Sequence, residues 1–468
     1  MGRPLPSLVK RTLACALLAA ALPTRAGAQV DWTKYEARSI ELLQQYLRLD
    51  TSNPPGNEQP AAEFFCALFA HEGIECQVFE VAPGRANVYA RLRGDGSKRP
   101  IILLNHTDVV TANPKNWSVP PFSGEIRGGA LYGRGAQDMK AEGMLQALVL
   151  VALKHEGVAL ARDVIFLGVA DEEVSGLGSG WMLGHKRDLL SGAEYLINEG
   201  GENTGDGGVP FWGVDVAEKI PFWLRLTAHG KAGHGSVPSR DAATHRLAHA
   251  LARVVDYETP LTVLPEVQRE LCDEAPLRFP QEVNRFCHLE ASLRDPAFRR
   301  RLAADTEWNY LLRNTISLTV MRGAPQTNVI PAEAVAELDV RLLPGEDPQK
   351  FLAELRRIIA DPGITVEPIA PVRAPSSSPV DTELWRVFEQ VVARHFPGTR
   401  VTPRLLASST ESPLYRQLGI IAYGFCPFVS SPAEAGTPHG DDERISIESY
   451  QRGLGALFEV VAGIAGRH

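Results

Sequence analysis

Four short segments between residues 101 and 199 constrain the fold more than any other part of the sequence. Three of them begin with an apolar run and finish in His, Asp or Glu, namely Ile101–Asp108, Val164–Glu173 and Tyr195–Glu199. A short apolar run between turn residues predicts a buried strand, typically of a parallel sheet. Ligands of open α/β sheets bind beyond the carboxyl ends of such strands. The sequence therefore predicts an α/β fold whose sheet delivers several acidic side chains and one His to a single edge.

The side chains expected at this edge are typical of a metal centre. They are His106, Asp108, Glu172, Glu173 and Glu199, joined by Asp138 from the predicted helix start in the fourth segment, Gly133–Lys140. One His with several carboxylates and no Cys is a ligand set for a hydrolytic metal centre, and zinc is the first expectation. The order of the segments, each at a predicted strand or helix end, favours this interpretation over a set of solvated acidic loops.

Two local patterns indicate roles within such a centre. His106 and Asp108 lie two residues apart at a strand end, so both side chains point to one face. Asp108 can orient the imidazole through its second nitrogen, or it can position the His through the backbone. The adjacent carboxylates of Glu172 and Glu173 repel each other unless a cation or a proton intervenes. A metal ligand next to a general base would satisfy both residues.

Length and charge limit the classes of protein to which the chain can belong. At 468 residues it is too long for one ordinary core, so we expect two domains or three. A hydrophobic content of 44% and a charged content of 22% are typical of a soluble globular protein. The net charge of −8 argues against nucleic acid or an anionic membrane as the main partner.

The N-terminus has the pattern of an export signal. Basic residues up to Arg11 precede the apolar stretch Thr12–Leu22, and Ala26-Gly27-Ala28 has the small-x-small pattern of a cleavage site. We expect residues 1–28 to be a signal peptide and the mature chain to be exported, either periplasmic or secreted. An uncleaved membrane anchor is the alternative. No later stretch is long and apolar enough to span a membrane.

The cysteines do not form a disulfide framework. The sequence contains six, and loss of Cys15 with the signal would leave an odd number. A single bridge, between Cys272 and Cys287, is the pairing we expect in an oxidising compartment.

Element order predicts a domain inserted into a larger one. The α/β pattern occupies residues 29–215 and resumes over 371–468. Between them, residues 216–370 begin with an alternating apolar and polar strand and follow a β-α-β-β-α-β order, interrupted by a long mixed insertion at about 260–314. This order predicts a small two-layer domain.

A set of motifs carries a family resemblance across nearly all of the mature chain. The motifs are His106–Val110, Pro121–Gly124, Leu131–Lys140, Asp171–Glu173, Asn198–Gly201, Gly233–Ser236 and His439-Gly440. On these residues the chain resembles the dizinc aminoacylase and carboxypeptidase superfamily, whose members include carboxypeptidase S, acetylornithine deacetylase, succinyl-diaminopimelate desuccinylase and glutamate carboxypeptidase. The Asn-Glu-Gly-Gly form and the long insertion look most like the carboxypeptidase S and N-acyl-amino-acid hydrolase branch. Ser408–Glu411 departs from the Thr-Asp or Gly-Thr-Asp of relatives, in a segment that shapes the substrate carboxylate pocket.

The resemblance implies a fold and an assignment of site residues. The fold would be a central mixed, mostly parallel sheet flanked by helices, with an inserted ferredoxin-like α+β lid and dimerisation domain. His106 and Glu199 would hold one zinc, and Glu173 and His439 the other. Asp138 would bridge the two ions, Glu172 would be the general base, and Asp108 would orient His106. From the lid, His234 would stabilise the oxyanion, often from the partner subunit. Asn328 and Arg341 would bind the substrate, and Arg341 would contact the free carboxylate of the substrate.

These implications lead to one functional expectation and two alternatives. We expect an exported, dizinc-dependent hydrolase that cleaves an amide next to a free α-carboxylate, in a peptide or an N-acyl amino acid. Cobalt or manganese could replace zinc, and the lid implies a homodimer. The first alternative is an aminoacylase that prefers small acyl groups. The second is an exported binding protein without catalysis, which Glu172 disfavours because a binding protein needs no general base.

Overall fold

The computed structural model describes residues 30–201, 203–205, 211–306, 308–372 and 376–467. The expected signal peptide, residues 1–28, lies outside the described residues. Within the described ranges, no helix combines the length and the apolar character needed to cross a bilayer.

The strands and helices of the described residues are distributed along the whole chain. The strands are β1 Glu75–Ala82, β2 Arg85–Leu92, β3 Ile101–His106, β4 Glu125–Arg127, β5 Ala130–Tyr132, β6 Val164–Val169, β7 Tyr195–Asn198, β8 Phe211–Glu218, β9 Ile220–Pro221, β10 Leu224–His229, β11 Gly233–His234, β12 Thr315–Arg322, β13 Val329–Ile330, β14 Glu333–Leu342, β15 Ile364–Pro368, β16 Arg400–Leu406, β17 Ile421–Gly424 and β18 Arg444–Ser446. The helices are α1 Thr33–Leu47, α2 Gln59–His71, α3 Lys140–His155, α4 Leu177–His185, α5 Arg187–Leu190, α6 Ala243–Val255, α7 Pro265–Arg278, α8 Val283–Cys287, α9 Leu289–Ser292, α10 Pro296–Ala304, α11 Pro348–Ile359, α12 Glu383–His395, α13 Ser412–Arg416, α14 Pro432–Ala435 and α15 Ile447–Ala465.

The large sheet confirms the predicted α/β fold. Its strand order is β1-β2-β6-β3-β7-β17-β8-β16. The four central strands, β6, β3, β7 and β17, run parallel to one another, whereas the pairs β1–β2, β2–β6 and β17–β8 are antiparallel. The carboxyl ends of the four central strands therefore meet at one edge of the sheet.

Both faces of this sheet are covered by helices, which explains the uninterrupted apolar runs. Every residue of β3 is buried, with Ile101 and Leu103 packing in one core and Ile102 and Leu104 in another. The first core includes α1, α3 and α15, and the second includes side chains of α4 and α13. On a strand that is buried on both faces, no side chain faces solvent, so apolar residues do not alternate with polar ones.

The small sheet has the topology expected of a ferredoxin-like unit. Its antiparallel order is β12-β14-β10-β15, and the elements β10, α6, β12, β14, α11 and β15 follow one another in the chain. Leu224, Leu226 and Ala228 of β10 are buried in one core with α6 and α11, while the residues between them are not, which explains the predicted alternation. The limits predicted for the domain, 216–370, remain a prediction, as does its action as a lid.

The insertion at about 260–314 packs away from the small sheet. Val267 and Leu271 of α7 lie in the large core, and Glu270 accepts a hydrogen bond from the backbone N–H of Leu405 at 3.1 Å. Asp273 accepts one from the hydroxyl of Thr402 at 2.9 Å. The insertion thus covers β16, an edge strand of the large sheet, although the predicted limits group it with the small domain.

Two disulfide bonds are present among the described residues, whereas we expected at most one. Cys272–Cys287 is the predicted pair, and Cys66–Cys76 is an additional one with its Cα atoms 5.5 Å apart. The second pair forms because α2 and β1 pack against each other around the turn at Gly73.

Candidate metal centre

The structure places the predicted metal-site residues at the carboxyl edge of the large sheet. His106 is the last residue of β3, and Glu199 follows β7 directly. Glu172 and Glu173 follow β6, as the sequence pattern predicts. Asp138 lies two residues ahead of α3 instead of within it, since the helix begins at Lys140. His439 comes from the loop between α14 and β18, in the returning part of the chain.

Asp138 lies between two separate pairs of a His and a Glu. Its Oδ1 atom is 3.0 Å from His106 Nε2, which is 3.4 Å from Glu199 Oε2. Its Oδ2 atom is 3.0 Å from His439 Nε2, which is 3.2 Å from Glu173 Oε2. The two oxygens of one carboxylate therefore face two His–Glu pairs, the arrangement that two cations sharing one ligand require.

The electrostatics of this cluster reflect buried carboxylates in excess over cations. Burial raises the pKa of Glu199 to about 7. Burial, together with the charge of Glu199, raises the pKa of Glu172 well above its usual value. Burial opposes protonation of His106, but Glu199 and Asp138 outweigh it and hold the pKa of the imidazole well above its usual value. Such a cluster binds positive charge, either protons or metal ions.

The atoms available in the cluster fit a metal ion. Ligand atoms of His106, Asp138 and Glu173 lie within 4.8 Å of one another, and so do those of His106, Glu172 and Glu199. Glu173 Oε1 is buried and accepts no hydrogen bond from the described residues. Imidazole nitrogens and carboxylate oxygens are ligands for zinc and for similar divalent ions.

Asp108 uses its backbone and its side chain for different contacts. Its backbone oxygen lies 3.0 Å from His106 Nδ1, whereas its carboxylate is 3.7 Å from that atom. The carboxylate instead accepts hydrogen bonds from the backbone N–H groups of Glu172 and Glu173, both at 3.1 Å, and from Asn53 Nδ2 at 2.8 Å. Of the two roles considered for Asp108, the backbone orients the imidazole, while the side chain holds the segment that follows β6.

The residues that hold the turn before Asp138 were not predicted from the sequence. The fully buried carboxylate of Glu443 accepts hydrogen bonds from the backbone N–H groups of Gln137 and Asp138, at 2.8 and 3.1 Å. Glu443 follows His439 by four residues in an acidic run that resembles a solvated loop. Only its contacts with a distant segment distinguish it, so no local signal could have identified it.

The three predicted lid residues lie on or beside the small sheet. His234 is exposed in β11, which pairs with β13, and its Nδ1 lies 2.7 Å from the hydroxyl of Ser236. Asn328 accepts a hydrogen bond at its backbone oxygen from the N–H of Gly235, at 2.7 Å. Arg341 binds Asp339 through two hydrogen bonds, of 2.7 and 3.1 Å. No hydrogen bond or ion pair among the described residues joins these three side chains to the cluster.

A cavity of about 310 Å³ opens beside the cluster. Its walls include Asp138 and Glu199 together with apolar side chains, among them Met139, Leu406 and Phe428. Gly200 gives the chain the turn that leads past this cavity: its φ is +113°, and a Cβ there would lie 2.5 Å from the carboxylate of Asp215. Only glycine meets both requirements.

Comparison with known proteins agrees with this geometry. A family model described as Peptidase family M20/M25/M40 matches residues 102–462. The chain is 29% identical over 397 residues to the N-fatty-acyl-amino acid synthase/hydrolase PM20D1 of Homo sapiens, covering 82% of this chain and 77% of that protein. It is 28% identical over 438 residues to Aminoacylase-1 of Mus musculus, covering 92% and 96%.

A solved structure shows the same fold. The M20 family metallo-carboxypeptidase Sso-CP2 from Sulfolobus solfataricus matches with a TM-score of 0.68 at 19% identity, covering 91% of this chain and 99% of that chain. The family match spans well over half of the chain and includes all the residues of the cluster. The resemblance inferred from the motifs is therefore confirmed, and the chain is a hydrolase that belongs to the peptidase family M20/M25/M40.

Proposed function

We propose that this protein is a dizinc-dependent hydrolase that cleaves an amide bond next to a free α-carboxylate. The observation that carries this proposal is the position of Asp138 between two His–Glu pairs. A fourth acid, Glu172, lies within 4.8 Å of the pair formed by His106 and Glu199 and so adds a group that a simple ligand set does not need. Two ions with one adjacent base form a combination that metal-assisted hydrolysis uses.

The ligands divide into two sets that share one residue. His106 and Glu199 would hold one zinc, Glu173 and His439 the other, and Asp138 would serve both. When bound, the ions lower the pKa of coordinated water and polarise a carbonyl group. A centre this rich in carboxylates would also accept cobalt or manganese.

Glu172 would act as the general base and then as the acid. Its partly buried carboxylate lies within 4.8 Å of the ligand atoms of His106 and Glu199, where it could take a proton from water held at that ion. It would hold this proton until the leaving amine takes it. The hydrogen bond from its backbone N–H to Asp108 limits the movement of the segment that carries it.

The lid residues would recognise the substrate after the small sheet closes over the cluster. His234 would stabilise the oxyanion, and Asn328 and Arg341 would contact the end that bears the carboxylate. The fork of Arg341 already binds the carboxylate of Asp339, so the same geometry would suit a substrate carboxylate. The homodimer implied by the lid resemblance stays a prediction, and light scattering of the purified chain would test it.

N-acyl amino acids are the substrate class that we place first, and peptides come second. The support is the name of one relative, which acts on N-fatty-acyl amino acids, together with its extensive match to this chain. The acyl group would lie in the cavity beside Asp138 and Glu199. An aminoacylase restricted to small acyl groups is the alternative, and a series of acyl chain lengths would separate the two.

We also propose that the protein is exported. The two disulfide bonds support this proposal, because such bonds persist in oxidising compartments. Mass spectrometry of the N-terminus and of the cysteines, on protein recovered from cell fractions, would test both the cleavage near Gln29 and the pairing.

The test of the main proposal is hydrolysis of a substrate panel with chelation and zinc add-back. The panel contains free and blocked dipeptides and N-acyl amino acids of increasing chain length. Turnover should disappear with chelator, return with zinc, and fall about 10²- to 10⁴-fold in Glu172→Gln, the usual contribution of a general base. The variant should keep the zinc content of the unsubstituted protein.

A matched control is Glu72→Gln, because Glu72 is also largely buried but hydrogen-bonds Arg38 instead of the cluster. This variant should keep full turnover near neutral pH. A protein that binds zinc and panel members but hydrolyses none of them would contradict the proposal and favour the binding-protein alternative.

A further inference from the structure

The turn that carries Asp138 and the loop that carries His439 are joined by the side chain of Gln137. Its Nε2 group contacts the backbone oxygens of Glu434 and Arg444, at 2.7 and 2.9 Å, and the hydroxyl of Thr437 at 3.0 Å. Its Oε1 atom accepts a hydrogen bond from the hydroxyl of Ser430 at 2.9 Å. One carboxamide thus holds the segment on both sides of His439.

Glu443 joins the same two segments, but it lies in the 430–444 segment and contacts the turn before Asp138. Besides the N–H groups of Gln137 and Asp138, its carboxylate accepts the N–H of Gly135 at 2.9 Å and pairs with Arg134 at 2.8 Å. Glu443 therefore supports the turn before Asp138, which serves both His–Glu pairs. Gln137 contacts Ser430, Glu434, Thr437 and Arg444, on both sides of His439, and His439 belongs to only one pair.

The position of His439 depends on the loop that carries it. Its side chain is 55% exposed, so packing around the ring does not define its position. Its φ is +60°, in the left-handed region that residues with a side chain adopt at a cost. A conformation of this kind persists only where the surrounding structure determines it. The contacts of Gln137 with Glu434, Thr437 and Arg444 contribute to that constraint, together with hydrogen bonds inside the 430–444 segment.

We propose that Gln137 is a positioning residue that holds His439 in place and so sets the affinity for the ion bound by Glu173 and His439. This inference rests on the proposed dizinc function. Gln137 would contribute little to the affinity of the site formed by His106 and Glu199. The proposal therefore predicts that one of two zinc sites weakens selectively.

The decisive variant is Gln137→Glu, which keeps the size of the side chain and its acceptor atom. It replaces the donating NH₂ group with an oxygen that faces the backbone oxygens of Glu434 and Arg444. Zinc stoichiometry and the two stepwise dissociation constants would be measured by competition with a chromophoric chelator on metal-free protein. One of the two sites should lose about 10- to 100-fold in affinity, the usual effect of residues that orient ligands, while the other should change less than about twofold.

Four further variants serve as controls and show whether the effect acts through His439. In Gln268→Glu the same substitution affects a carboxamide that bonds Phe286 and Leu289 in the insertion, and both zinc affinities should stay unchanged. Gln137→Met removes the hydrogen bonds without adding charge and should reproduce the selective loss. A double variant, Gln137→Glu with His439→Ala, should bind zinc no more weakly than His439→Ala alone, because coupled residues are not additive.

The outcomes separate this inference from the proposed function. Two zinc sites whose affinities are both unchanged in both Gln137 variants would overturn the inference alone. Equal losses at both sites would overturn it as well, since they would indicate general disruption. An unsubstituted protein that binds fewer than two zinc ions would overturn the dizinc proposal and this inference together.

Discussion

Replacing Glu443 with Ala should destabilise the protein strongly. The side chain is fully buried and accepts four hydrogen bonds, three from backbone N–H groups and one from Arg134, which is itself only 2% exposed. Removing one partner of a buried ion pair typically costs about 3–5 kcal/mol, because the remaining charge is left without compensation. Water entering the space left by the carboxylate would accept hydrogen bonds from some of the N–H groups. We therefore expect the free energy of unfolding to fall by about 3–5 kcal/mol, and not by the sum of the ion pair and the three backbone hydrogen bonds.

The free energy of unfolding would be measured by denaturant titration of the metal-free protein, which removes any contribution from bound zinc. Glu443→Gln keeps the volume and one acceptor oxygen but also leaves the charge of Arg134 without compensation, so it should lose about 3–5 kcal/mol as well. Glu354→Ala is the control, because Glu354 pairs with Arg357 on the surface and its loss should leave the free energy of unfolding nearly unchanged. A loss below about 1 kcal/mol in Glu443→Ala would refute the reasoning from burial.

Three further predictions concern the site, pH and metal. Asp108→Asn should lower kcat about 10- to 100-fold with zinc content unchanged, because the carboxylate of Asp108 accepts hydrogen bonds from the N–H groups of Glu172 and Glu173. Loss of zinc from this variant would instead show that Asp108 acts in ion binding. Burial opposes ionisation of Glu72, but Arg38 and two histidines hold its pKa at about 2, below the usual 4.5. Its stabilisation is therefore complete above pH 4.5 and is lost as the pH falls toward 2, so Glu72→Gln should flatten the stability profile in that window, measured by thermal unfolding. Adding zinc back to chelated protein should raise the midpoint of unfolding. At a free zinc concentration of 1,000 times Kd, one bound ion would increase the free energy of unfolding by about 4 kcal/mol. An unchanged midpoint would contradict a metal site in the folded state.

Local patterns in the sequence were sufficient to predict the strands that build the site. The apolar runs that became β3 and β6 are buried on both faces, and the polar residue that ends or follows each run marks the sheet edge. The positions of His106 and Glu199 follow from this pattern alone. His439 could be placed only through the family resemblance, because a single His in a loop has no periodic neighbours.

Contacts between distant segments were not predictable in the same way. The pairing of Cys66 with Cys76 depends on how α2 packs against β1. The insertion covers β16 because Val267 and Leu271 find apolar partners in the large core, and composition alone does not specify which core a helix joins.

The sequence by itself determined which elements form and which side chains stand at their ends, because hydrophobic periodicity and turn residues act over short distances. Only the tertiary structure decided how these ends meet. The two oxygens of Asp138 face different His–Glu pairs because the 430–444 segment returns to the turn that precedes α3. That return is stabilised by hydrogen bonds between residues about 300 positions apart, such as Gln137 with Arg444 and Gly135 with Glu443. Bonds of this kind have no pattern within either segment, since each partner is satisfied only when both segments are folded together.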